Sequence, residues 1–190
     1  MFVVRRPGLA VAVDTDLPVF SYPRVGEVVT GFGALPNPRL DSARAVVELQ
    51  QNRGGALFRA LLGGEFVPGD GGELAVRVAS GAAGSAGHPP GLLGGGLAPG
   101  LPQEFADPVA DGIADDVRLG GAPSGVLLID RGGFDRESSP LLFMAAGRLL
   151  LRMLLAISRG TSPEPVAEFW AERRGALPAW PPTPDPSRRG

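Results

Sequence analysis

From Ser139 to Ile157 the chain reads Ser-Pro-Leu-Leu-Phe-Met-Ala-Ala-Gly-Arg-Leu-Leu-Leu-Arg-Met-Leu-Leu-Ala-Ile, the longest apolar run in the sequence. Ser139 before Pro140 marks a helix start, because the serine oxygen caps free backbone N–H groups and proline needs no N–H in the first turn. A helix apolar over most of its circumference has to be buried, so the rest of the chain must build walls around this one. The run is nearly long enough to span a membrane. However, Arg148 and Arg152 fall near its middle, and each costs about 2.5–3.5 kcal/mol on insertion scales. Gly160 and Thr161 then end it. The expectation is a core helix with one arginine-lined wet edge, and no membrane.

The walls read less uniformly. Leu9–Val13 and Pro18–Tyr22 are short apolar runs split by Asp14-Thr-Asp16, an edge hairpin or an extended arm. β-Branched or alternating segments predict strands over Val25–Phe32, Ser42–Leu49, Glu73–Val78 and Gly125–Asp130. Ala56, Leu57, Ala60 and Leu61 have helical spacing, which predicts a short helix over Gly54–Leu62 stopped by Gly63-Gly64. Ser80–Gly100 is dominated by Gly, Ala and Pro and reads as a loop. Gln103–Arg118 carries Phe105, Val109, Ile113 and Val117 four apart, an apolar helical stripe. Asp107, Asp111 and Asp115 form a parallel acidic stripe; Arg148, Arg152 and Arg159 are expected to serve solubility or to form local ion pairs with this acidic helix. Thr161-Ser-Pro-Glu164 fits a capping box, leading into a short helix through Phe169 and Trp170 to Arg174, then a Pro-rich tail. The organisation expected is an N-terminal arm or edge hairpin over 1–24, a core over 25–160, and a short helix with tail over 161–190.

At 190 residues the chain fits one domain with appendages. The net charge of −2 and pI near 5.4 give no global attraction to nucleic acid. All 18 basic residues are arginine, and there is no cysteine, which removes disulfides, thiolate metal sites and cysteine nucleophiles. The first residues, with Arg5-Arg6 after the apolar ones, do not form a signal peptide, and a soluble cytoplasmic protein is expected. No Gly-x-x-x-x-Gly-Lys-Ser/Thr loop occurs, so no GTP is expected to bind or be hydrolysed.

Leu101-Pro-Gln-Glu-Phe105 followed by Val109 and Gly112-Ile113, then Gly121-Ala-Pro123, then Asp130-Arg-Gly-Gly-Phe-Asp-Arg-Glu-Ser-Ser139 with Phe143 and Ala145-Ala146, together resemble domain IV of translation elongation factor G. The resemblance is best over about residues 92–150, and Glu48 after Val46-Val47 matches that family's Val-x-Val-Glu strand more weakly. It implies an α+β two-layer sandwich: about four strands, two main helices on one face, and a ribosomal-protein-like left-handed βαβ crossover. It also implies a non-catalytic, translation-associated accessory factor without cofactors. The loop 131–139 would bind the small ribosomal subunit or RNA. The family's tip histidine falls on Phe134, and its aspartate before the two serines falls on Glu137. The alternative is a protein–protein interaction module that kept the fold but not RNA binding.

The tip therefore carries two readings. In one, Arg131 and Arg136 contact phosphates, Gly132 and Gly133 allow close approach, and Phe134 stacks on a base. In the other, the segment is a turn and helix cap, with its arginines solvated beside Asp130, Asp135 and Glu137. Ser138 and Ser139 read as structural caps rather than nucleophiles, because neither lies in a Gly-x-Ser-x-Gly elbow and the sole histidine is the loop residue His88. Asp107, Asp111, Asp115 and Asp116 read as a solvated face rather than a metal site.

Overall fold

The computed structural model describes residues 1–16, 20–35, 39–82 and 87–173. The strands are β1 (Phe2–Arg6), β2 (Leu9–Asp14), β3 (Gly26–Gly33), β4 (Ala43–Arg53), β5 (Ala56–Pro68), β6 (Glu73–Ala82), β7 (Ala98–Leu101) and β8 (Gly125–Phe134); the helices are α1 (Gln103–Gly120), α2 (Pro140–Ser158) and α3 (Glu164–Glu172). All strands join one sheet in the order β1-β2-β4-β5-β8-β7-β6-β3. Neighbours are antiparallel except β6 and β8, which run parallel, and the short β7 fits between them at one end.

This corrects the sandwich of about four strands and two main helices: among the described residues the sheet has eight strands and three helices accompany it. Two tight turns explain most of the difference. Gly54 and Gly55 both have positive φ, 63° and 86°, and join β4 to β5 with Arg53 opposite Ala56. A two-residue turn of that kind is available to glycine and suits a twisted hairpin. Residues 56–62, predicted helical from their spacing, are therefore the start of a 13-residue strand. Likewise Pro7-Gly8, with Gly8 at φ 75°, closes a β1–β2 hairpin whose second strand pairs with β4. The predicted loop over 80–100 contributes the end of β6 and most of β7, while its residues 83–86 lie outside the described residues. So do residues 17–19 of the second apolar run and the tail from Arg174.

Alternation sorts the strands' side chains. Val11 and Val13, Ala45, Val47 and Leu49, Leu62 and Phe66, Val76 and Val78, and Leu127 and Ile129 share one core with all three helices. The other face carries a smaller cluster of Phe20, Val46, Leu61 and Leu97, with Leu92 packed on it.

The apolar helix is where the sequence put it. Ser139 caps α2, its Oγ accepting the N–H of Leu142 at 3.2 Å. α2 packs on α1, α3, β4 and β5. It is the one described helix long and apolar enough to cross a membrane, but two thirds of that window is buried inside the protein, as in a core helix of a soluble protein. Its arginines reach the acidic face of α1: Arg148 meets Asp115 at 2.6 Å, and Arg152 meets Asp116 at 2.5 Å, both of the latter buried. Burial holds the Asp116 carboxyl above its ordinary range, although Arg152 pulls it the other way. The two helix backbones nearly touch. A Cβ on Gly147 would lie 2.8 Å from the Val109 carbonyl oxygen, and one on Gly112 would overlap that of Met144. The expected capping box does not form. Pro163 occupies the α3 N-cap without a side-chain bond, and the Thr161 hydroxyl donates instead to the Ala156 carbonyl at 2.8 Å.

Candidate functional site

The predicted tip is not a loop over its first half, because β8 runs on through Phe134. Against β5 its register shifts between Gly63, opposite Arg131, and Gly64, opposite Ile129, so Asp130 is the extra, bulged residue. Past that bulge the strand needs small residues. A Cβ on Gly132 would lie 2.5 Å from the Gly100 carbonyl oxygen, and one on Gly133 would press on the Phe20 ring at 3.1 Å. Both glycines are buried. They admit neighbouring chain, not a nucleic-acid backbone.

The cations are mostly answered. Arg131 meets Asp130 at 2.7 Å, and Arg24 reaches the same carboxylate at 3.4 Å. Phe134 turns back onto Phe105, ring centroids 5.9 Å apart, and Phe105 stacks on Phe143 at 4.5 Å. Arg136 alone of the five predicted contact residues is exposed, with no ion pair among the described residues, between Asp135 and Glu137. The two serines have different tasks. Ser139 caps α2, whereas the Ser138 hydroxyl accepts the Asp135 N–H at 3.0 Å and donates to the Arg59 carbonyl at 2.7 Å. Ser138 thus ties the turn to β5, and its proton is committed.

Beneath that tie lies the most organised polar group in the molecule, which the sequence reading used only as a weak motif match. Glu48, fully buried on β4, accepts from Arg59 Nη2 at 2.5 Å and Nε at 3.1 Å through one oxygen. Its other oxygen accepts the Leu93 N–H at 2.9 Å, and Arg59 Nη2 also donates to the Gly94 carbonyl at 2.6 Å. A Cβ on Gly91 would lie 2.5 Å from Glu48 Oε2, and one on Gly95 2.9 Å from Arg59 Nη1. The glycine-rich segment is glycine-rich because it lies flat on a buried ion pair. The available signal was a carboxylate inside Val46-Val47-Glu48-Leu49, since glutamate is almost never fully buried unless paired.

This arrangement suits fastening better than chemistry. A carboxylate already holding three donors has little capacity left for a substrate. His88 is exposed. No group of three or more His, Cys, Asp or Glu placed to hold a metal occurs among the described residues. Tyr22, whose hydroxyl donates to the Ala79 carbonyl at 2.7 Å, is pushed well above the usual tyrosine range by burial and, next, by Asp130.

The remaining faces differ in how they meet solvent. The sheet's open face pairs Arg44 with Glu65 and Arg77 with Glu27. Its two edges are unlike. β1 is five residues long, ends in Arg5 and Arg6, and has α3 packed against it. β3 is eight residues long, and among the described strands pairs only with β6. Its one charge, Glu27, is already bonded to Arg77. Val29 within it is 62% exposed and Val25 beside it 84%.

No family model matches the chain, and neither the curated proteins nor the solved structures contain a match.

Proposed function

We propose that this chain is a non-catalytic protein-interaction module of the cytoplasm that takes an extended segment of a partner protein along β3. The observation carrying it is the contrast between the two sheet edges. A long, flat, apolar strand with unpaired backbone groups is a template for another strand, and proteins normally blunt such edges with charge, proline, shortness or a covering element. β1 is short, ends in two arginines and has α3 packed against it; β3 is longer and its one charge is already bonded to Arg77, although it too has a helix, α1, packed against it. Strand addition draws affinity from main-chain hydrogen bonds and selectivity from alternate side chains; Val25 and Val29 supply the latter here.

The reading as a ribosome- or RNA-binding, elongation factor G-like accessory factor rests on the tip, where Arg131 is neutralised and Phe134 packs inwards. Arg136 is its remaining support. A photo-crosslinking residue at position 29, and separately at 136, tests both in cells. The expected result is a discrete protein adduct from position 29 that disappears with Gly33→Pro, which removes an outward-facing strand donor, since Ala34 N–H and its even-numbered neighbours face β6. RNA adducts from position 136, with no protein adduct from position 29, would reverse the assignment.

A further inference from the structure

At the sheet edge opposite β3, a groove of about 320 Å³ opens where the β1–β2 hairpin, the β4–β5 turn region, the first turn of α2 and α3 meet. Leu9, Phe58, Leu141 and Leu142 wall it, and Trp170, only 2% exposed, closes it from within. Leu141 stays 71% exposed, a large apolar side chain on the rim that the described residues leave uncovered. Arg53 also lines the groove, and among the described residues no acidic side chain does. Arg53 has no ion pair among the described residues, unlike Arg59, Arg131, Arg148 and Arg152.

A single unanswered cation at an apolar slot selects a ligand with one negative charge and an apolar group. The volume is at the low end of the range for ligand sites, about 300–1,000 Å³, enough for one or two side chains. A polyanion such as RNA would leave most of its charge unmatched here. A second depression of about 240 Å³, lined by Arg6, Pro7, Ala171 and Glu172, shares Leu9 with the groove and offers a course for more chain. We propose that this groove binds the C-terminus of a partner peptide, with its last apolar side chains against Phe58, Leu141 and Trp170 and its carboxylate on Arg53. Capture of a terminal carboxylate is a recurrent recognition mode, and the site is independent of strand addition at β3.

The test uses the full ¹⁵N-labelled chain and N-acetyl-alanyl-leucyl-phenylalanine, as free acid and as amide. Trp170→Phe identifies the Trp170 indole signal, since the sequence has two tryptophans. The free acid is expected to shift that signal saturably at about millimolar concentration, and both amidation and Arg53→Gln to weaken binding at least about tenfold. Arg53→Lys should recover part of the loss, and Gly33→Pro at the β3 edge should change nothing. Equal binding of acid and amide, or no saturable shift up to about 10 mM, would overturn the proposal while leaving the β3 reading untouched.

Discussion

Replacing Glu48 by leucine removes a fully buried carboxylate but leaves the Arg59 guanidinium in place, itself 7% exposed, with Gly94 as its remaining named partner. Arg59→Met does the converse. Stranding one partner of a buried pair costs about 3–5 kcal/mol, whereas replacing both by apolar residues of similar volume is often neutral or favourable. The double variant also leaves the Leu93 N–H and the Gly94 carbonyl without these partners, about 1–3 kcal/mol each if they stay buried. Two single losses that together reach about 6–10 kcal/mol, against a double loss of about 2–6 kcal/mol, centre the coupling on about 4 kcal/mol. Urea unfolding of the four proteins at neutral pH measures it. Hydrogen exchange at Leu93 adds a local readout, expected to accelerate in each variant as the 87–97 segment loosens. Additivity within about 0.5 kcal/mol, or singles that cost under about 1 kcal/mol, would show that the pair behaves like a surface salt bridge.

Gly112→Ala sets helix propensity, worth up to about 1 kcal/mol in favour, against overpacking of about 1–3 kcal/mol from the new methyl on the Met144 backbone. The clash should win and Tm should fall; a rise would mean the helices separate freely. Ser139→Ala should cost about 1 kcal/mol in denaturant unfolding through loss of the α2 cap, and an unchanged midpoint would deny the cap any role. The folded-state pKa of Asp116 lies above its ordinary 3.8. Its contribution is therefore full below that value and is lost as pH rises through the folded pKa. The stability gap between the wild type and Asp116→Asn, followed by thermal melts from acid to neutral pH, should narrow as pH rises. A gap that widens would reverse the sign.

What could be read from sequence divides by the range of the interactions. α1 and α2 follow from local patterns: Phe105, Val109, Ile113 and Val117 are all buried on one stripe, and Ser139-Pro140 starts the core helix. Ion pairs from Arg148 and Arg152 to the acidic helix were one of two roles open in the sequence, and Arg152 takes Asp116, which lies off the Asp107, Asp111 and Asp115 stripe. Strand alternation located β3, β4, β6 and most of β8. The sheet's extent did not follow, because two-residue turns at Pro7-Gly8 and Gly54-Gly55 decide it, and Ala56, Leu57, Ala60 and Leu61 satisfy helical spacing as well as strand pairing. The extension of β8 to Phe134 was missed for a related reason. Gly132 and Gly133 look like loop residues until Phe20, Leu97 and Gly100, distant in sequence, pack on them. Glu48 was visible as an anomaly, but its partner Arg59 sat inside the segment predicted helical.

The order of elements along the chain bears on synthesis as well as on the finished fold. α2 is the segment most exposed to aggregation or mistargeting while unshielded, yet α1, β4 and β5, on which it rests, all precede it. A chain emerging N-terminus first has made the aspartates for Arg148 and Arg152, and the strands for Leu149–Leu155, before this helix leaves the ribosome. Of the described elements, only α3 arrives afterwards. Circular permutation that moved α2 ahead of β4 would keep every native contact while removing that shelter. Its soluble yield should therefore fall further than its equilibrium stability.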